Sequence, residues 1–221
     1  MQEPAESQSA AVPFGEAFWD ERYRQPGHVW SGSPNPHLVT GAAGLRPGSA
    51  LDAGSGEGAD TIWLARRGWK VTAVDISSVA LARAAGQAEA DPETAGRISW
   101  VHCDLTAWTP PAGAFDLVSA QFMHWPGAQR RTVYSRLAAA VAPGGTLLVV
   151  GHHPSDLATT VRRPRLPELL FTPEETAAAL DPGEWEIVIC AARPRTVADP
   201  AGQPVTVRDS VLQARRRDAA G

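Results

Sequence analysis

From residue 49 onward the hydrophobic positions fall into two alternating rhythms. Short apolar or β-branched runs at 50–53, 70–74, 98–102, 115–120 and 146–150 are separated by stretches at 59–67, 78–90 and 129–140 whose apolar residues recur every three to four positions. The first kind reads as strands and the second as helices packed on them. Strands alternating with helices predict an α/β fold: a Rossmann-like, doubly wound, mostly parallel sheet with helices on both faces. The rhythm changes after Gly151, where a Pro- and Arg-rich stretch at 153–167 precedes a helix opened by Thr172 and Pro173, with Glu174 and Glu175 in its first turn. Two further runs, 185–191 and 205–212, close the pattern and supply an antiparallel C-terminal strand.

Upstream of the alternation the pattern is different. Residues 1–12 are polar and Ala-rich and read as a disordered arm. Phe14, Phe18, Trp19 and Tyr23 then recur at helical spacing, a Gly- and Pro-bearing loop follows at 26–36 with Trp30 inside it, and a second short helix is expected at 37–43. The expected organisation is one domain over 13–214, with lid helices at 13–44 and a frayed tail at 215–221. No repeat interrupts it.

Composition narrows the function classes. With 221 residues, 43% hydrophobic and 20% charged, the chain supports one well-filled core. A formal charge of −4 gives no general attraction to phosphate backbones or anionic bilayers, so the expected partner is a small molecule, not nucleic acid or membrane. Cys103 and Cys190 are far apart and match no ligand spacing, which excludes a disulfide framework and suits a reducing compartment. Neither a leader pattern at the start nor an apolar run of about 20 residues is present, so a cytoplasmic location is expected. Oligomeric state is left open.

The chemistry concentrates at the first strand-to-helix turn, Leu51-Asp52-Ala53-Gly54-Ser55-Gly56-Glu57-Gly58-Ala59-Asp60. Alternate glycines let backbone approach a ligand closely, at the sheet edge where open α/β folds bind theirs. The third glycine comes one residue earlier than in the dinucleotide fingerprint G-x-G-x-x-G. Asp52, Glu57 and Asp60 would also repel a pyrophosphate while suiting an ammonium or sulfonium. The second strand ends in Asp75, placed to accept from ribose hydroxyls, with Ile76 beside it to pack on an adenine ring. After the third strand, Asp104 can accept from an exocyclic amine, and Leu105 follows it. The residues thus assemble an adenosine site.

The blocks LDAGSGEG, VTAVDIS, CDL, FDLVSAQ and APGGTLLVV, from about Phe18 to Val150, resemble the class I S-adenosylmethionine-dependent methyltransferases. The front segment, Phe18 to Tyr23 with Trp30-Ser31-Gly32 and Pro34-Asn35, looks like the lid of the thiopurine and tellurite-resistance methyltransferase-like branch. The resemblance implies S-adenosyl-L-methionine as cofactor and methyl transfer to a small-molecule S, N or O nucleophile. It implies cofactor-binding roles for Asp52, Gly54, Ser55, Gly56, Gly58, Asp75, Ile76, Asp104, Leu105, Gln121, Tyr23 and Trp30. Two other readings use the same turn: a non-catalytic S-adenosylmethionine-binding regulatory protein, and a nucleotide-dependent oxidoreductase, against which the glycine spacing and acidic loop stand.

Other candidates carry competing structural readings. His124 and Trp125 follow the fourth strand, where an imidazole is a candidate base or substrate contact; a satisfied loop histidine accounts for it equally well. His152 and His153 suggest a metal, but adjacent residues of an extended chain face opposite ways, so no metal is expected. Trp19, Tyr23 and Trp30 either close on a ligand or simply pack the front helix. Arg162, Arg163 and Arg165 fit a solvated loop better than an anion grip.

Overall fold

The computed structural model describes residues 14–161, 163 and 166–218. The arm expected at 1–12, Arg162, Arg165 and the last three residues lie outside them. The chain order is α1 (Glu16–Arg24), α2 (Pro36–Ala42), β1 (Ser49–Ala53), α3 (Ala59–Arg66), β2 (Lys70–Asp75), α4 (Ser78–Glu89), β3 (Ile98–His102), β4 (Phe115–Gln121), α5 (Gly127–Ala140), β5 (Val141–His152), α6 (Pro173–Ala177), β6 (Trp185–Ala198) and β7 (Pro204–Arg216).

The seven strands form one sheet in the order β3-β2-β1-β4-β5-β7-β6. The first five are parallel, and β7 runs antiparallel to both β5 and β6. This is the doubly wound sheet with an antiparallel C-terminal strand that the pattern predicts. The chain moves outward from β1 to β3 and then restarts at β4 on the other side of β1, so the topological switch lies between β1 and β4, where such sheets bind ligands.

Burial follows position in the sheet. Central β1, β4 and β5 are buried along most of their length because helices cover both faces, whereas edge strand β6 is largely exposed. One core layer joins Val133, Tyr134 and Leu137 of α5 to Leu51, Val118, Leu147 and Leu212 of the sheet. The other joins Leu38 of α2 and Leu64 of α3, with Trp69, to Ala50, Leu117, Leu148 and Val211. At about 25 cal/mol per Å², each such side chain contributes on the order of 1.5–3 kcal/mol.

Local chemistry sets the helix starts. Asn35, Ser77 and Thr172 each accept a backbone N–H at the opening of α2, α4 and α6. Asp20 of α1 accepts from the Ser77 hydroxyl at 2.6 Å and from the Val79 N–H, which docks the front helix on the start of α4.

Two expectations change. The closing strands are longer than the apolar runs: β6 and β7 pair from Trp185↔Arg216 out to Ala198↔Pro204. Beyond Arg193, past the last β5 pairing at His152↔Asp209, they form a two-stranded ribbon carried by cross-strand hydrogen bonds, so polar Arg195 occupies it and Pro194 is tolerated on the edge. The tail expected at 215–221 likewise begins later. Arg215 and Arg216 belong to β7 and pair with Glu186 and Trp185, and the Arg217 N–H donates to the Glu184 carbonyl.

Candidate active site

A cavity of about 1010 Å³ opens over the carboxyl ends of β1, β2, β4 and β5 and is roofed by α1 and the loop leading to α2. A single small-molecule pocket is typically about 300–1,000 Å³, so this one has room for a nucleoside cofactor and a second molecule.

Its floor is the β1–α3 turn. Gly54 and Gly56 have φ of 74° and 52°, and a Cβ on Gly54 would meet the Met123 sulfur. Asp75, at the end of β2, is 7% exposed. One carboxylate oxygen accepts from the Gly56 N–H and the other from the Ser77 N–H, both at 2.8 Å, so the acid fixes the turn and still faces the cavity. Burial raises its pKa, and the backbone donors at Ser77, Gly56 and Ile76 oppose that rise. Ile76, Asp104, Leu105 and Gln121 line the same side. One Asp104 oxygen accepts from the Thr106 N–H. Ser55 Oγ and Gln121 Oε1 are buried with no partner among the described residues, a state that a polar ligand would relieve.

Two residues expected at the ligand do not line the cavity. Asp52 is 2% exposed and accepts from the Thr61 hydroxyl behind the turn, where burial holds its pKa up. Gly58 adopts φ 82° as the cap of α3, and a Cβ there would sit 2.7 Å from that of Ala84. Both serve the turn's packing. Asp60 takes the place at the wall instead.

Glu57 has a different role from the one its charge suggests. Its carboxylate receives Arg83 at 3.0 Å and the backbone N–H groups of Val29 and Trp30 at 3.0 and 3.3 Å. It therefore fastens the front loop to the glycine turn. Tyr23 accepts from the Trp30 indole at 2.9 Å, and the Trp19 ring lies 6.1 Å from Tyr23 and 6.4 Å from Trp30. Tyr23 is buried, but Trp30 is 47% exposed, more than packing alone requires of an indole that lines the cavity.

Across the cavity, His124 lies within 5.7 Å, ring to ring, of Phe14 and Trp19, and 6.3 Å from His152. Burial, reinforced by Arg22 and Arg163, lowers the His124 pKa to about 4. Burial, with Arg163 and His124, lowers that of His152 to about 3. Both imidazoles are neutral near pH 7. His153 points elsewhere, its Nδ1 engaged with Ser155. Arg163 is no solvated loop residue: it lines the cavity and grips buried Asp156 at 2.9 and 3.1 Å. Among the described residues no group of three or more His, Cys, Asp or Glu side chains could hold a metal ion.

Several lining residues carry no sequence signal. Arg195 reaches the cavity from the β6–β7 ribbon and pairs with Asp209, which also meets His37. Phe122, just after β4, has φ 51° and stacks 4.7 Å from His152. A non-glycine residue there is strained by about 1–3 kcal/mol, a feature common at ligand sites.

Comparison with known proteins gives a consistent picture. Residues 50–145 match a family model described as a methyltransferase domain. An uncharacterized methyltransferase of Mycobacterium tuberculosis is 44% identical over 101 residues, covering 45% of this chain and 48% of that protein. The chain spans about half the length of the curated relatives first matched. Among solved structures, TehB from Haemophilus influenzae aligns with a TM-score of 0.68 at 19% identity, covering 91% of this chain and 67% of that one. A Burkholderia thailandensis 1,6-didemethyltoxoflavin N1-methyltransferase, solved with 1,6-didemethyltoxoflavin and S-adenosylhomocysteine, aligns at 0.66 with 22% identity over 99% and 93% of the two chains. At these identities the structural likeness concerns the fold, which is the Rossmann-like methyltransferase fold.

Proposed function

We propose that this chain is an S-adenosylmethionine-dependent methyltransferase that passes a methyl group to a small-molecule nucleophile. The observation that carries the reading is the alignment of the Gly54–Gly56 turn, Asp75 and Asp104 along one cavity wall, within the segment that matches a methyltransferase domain. The residues present fit the cofactor. Gly54 and Gly56 hold the turn's backbone at the cavity in a positive-φ conformation and against Met123 and Tyr23 where a side chain would not fit, Asp75 retains lone pairs toward the cavity, and Ser55 and Gln121 hold unpartnered polar atoms there.

When bound, the cofactor supplies a methyl group on a sulfonium, open to in-line displacement by a nucleophile. The protein's part is positioning and exclusion of water. Asp75 would accept from the ribose hydroxyls, Asp104 from the adenine amine, and Ile76 and Leu105 would flank the ring. Trp19, Tyr23 and Trp30 would cover the methyl end, with Glu57 fastening the loop that carries Trp30. A small-molecule acceptor, membership of the thiopurine and tellurite-resistance methyltransferase-like branch, and a cytoplasmic setting are further parts of the reading. They are supported respectively by the roofed cavity, by the likeness to TehB, and by two free cysteines with no helix among the described residues long and apolar enough to cross a membrane.

Calorimetry tests the reading directly. S-adenosylmethionine and S-adenosylhomocysteine are expected to bind, and NAD to bind far more weakly; NAD binding with neither of the other two would overturn it.

A further inference from the structure

The cavity lining carries both signs of charge. Asp60, Asp75 and Asp104 line the cavity with the glycine turn, whereas of the lining arginines Arg22 and Arg163 act on His124, and Arg163 and Arg195 act on His152, each disfavouring protonation. Asp156 compensates Arg163 and Asp209 compensates Arg195, at 2.9 and 2.8 Å. Arg22 has no carboxylate partner among the described residues; its guanidinium lies 5.2 Å over the Trp30 ring. Three guanidiniums thus act on the two imidazoles, with two carboxylates to balance them. The buried Nδ1 of His152 adds a polar atom with no partner among the described residues. An excess of positive charge at the mouth of a roofed cavity, beside a buried imidazole nitrogen that lacks a partner, is a site for an anion.

The same imidazoles are poorly equipped to remove a proton. His124 and His152 are held neutral by burial and by the neighbouring arginines, which makes them weak bases. An acceptor that must lose a proton to react, such as an ammonium or an alcohol, is badly served here. An acceptor that arrives already ionised is well served.

We propose that the methyl acceptor is the carboxylate of a small organic acid, held toward Arg22 and Arg163 with its apolar body against Phe14, Trp19 and Phe122. The proposal rests on the reading of the cofactor site above. A carboxylate oxygen lone pair forms the new C–O bond while the C–S bond to the sulfonium breaks. That bonding pair stays on sulfur as the neutral thioether, and the product is a methyl ester. No proton moves. One positive and one negative charge are consumed together, so a low-dielectric, roofed pocket favours the step once the arginines have bound the anion.

The test uses the full chain saturated with S-adenosylhomocysteine and titrated by calorimetry. The probes are arylacetates and medium-chain alkanoates, with their matched amides, amines and thiols. At least one acid is expected to bind about tenfold or more tightly than its amide, and Arg22→Gln to reduce that affinity by about tenfold. Arg22 is exposed, so this variant is expected to fold; Arg163→Gln, which strands buried Asp156, is a second variant checked first by thermal melting. With S-adenosylmethionine, mass spectrometry is expected to find an alkali-labile methyl ester of that acid. Amides binding as tightly as the acids, no loss with Arg22→Gln, or methylation of thiols or amines in preference to acids would each overturn the proposal. If S-adenosylhomocysteine itself fails to bind the wild-type chain, the underlying cofactor reading falls as well, which separates the two failures.

Discussion

At the residue scale, the glycine turn divides labour among positions that look equivalent in sequence. Gly56 and Gly58 both adopt positive φ, but a Cβ on Gly56 would sit 2.9 Å from the Tyr23 hydroxyl at the cavity, while one on Gly58 would meet Ala84 inside the fold. Gly58→Ala is therefore expected to cost about 1–3 kcal/mol of stability in urea unfolding while keeping S-adenosylhomocysteine affinity in the fraction that folds. Gly56→Ala is expected to lose the affinity, and equal binding by the two variants would refute the assignment. Asp75→Asn should weaken the same ligand by roughly 1.5–3 kcal/mol for each charge-assisted hydrogen bond lost. Calorimetry on the folded variant measures it, and unchanged affinity would place the ribose elsewhere. The places of Gly54, Asp75 and Asp104 at the cavity are legible from spacing because strand ends fix where those residues stand. Those of Asp52 and Glu57 are not, since the direction of each carboxylate depends on partners 9 and 26 to 28 positions away.

At the element scale, the front segment is held to the core by polar contacts set around buried Tyr23 and around the Phe14 and Trp19 rings, which pack against His124. Asp20 receives Ser77 and Val79, and Glu57 receives Arg83 and the Val29 and Trp30 amides. Within the segment, the exposed Gly- and Pro-bearing loop is the part with the lowest cost of local opening. Glu57→Gln should accelerate protease cleavage within residues 25–36 severalfold, and S-adenosylhomocysteine should slow cleavage in the wild type. Equal cutting in all three samples would make the segment fixed packing with no gating role. The aromatic spacing of Phe14, Trp19 and Tyr23 predicts this helix, but only tertiary contact places it over the cavity. The β6–β7 ribbon is the opposite case: the outer half of β6 lies beyond the apolar run at 185–191, and with it Arg195 escaped sequence reading.

At the scale of the whole molecule, stability and site are linked through protons. Relative to the usual 6.5, His124 and His152 have pKa values lowered to about 4 and about 3. Below about pH 6.5 the unfolded chain binds protons that the folded one refuses, so the stability these residues contribute is complete above that pH and declines toward pH 4. Asp52 and Asp60 act oppositely: burial raises their carboxyl pKa values, so their contribution is complete in acid and is lost as pH rises toward neutrality. Because both proteins share that second effect, the difference between wild type and a His124→Gln/His152→Gln variant isolates the first. Melting temperature should fall more in the wild type than in the variant between pH 7 and pH 5, and parallel falls would show that the histidines are not buried neutral. Periodicity and the backbone geometry local to each strand end are enough to read off the strand and helix rhythm, hence the doubly wound sheet, its switch point and the glycine turn with Asp75 and Asp104. Folding alone settles which acids face the cavity and which lock the turn, and how Arg22, Arg163, Arg195, His124 and His152 come to line one cavity. Those residues come from five separate segments, and the neutrality of the two imidazoles exists only once burial removes the water around them.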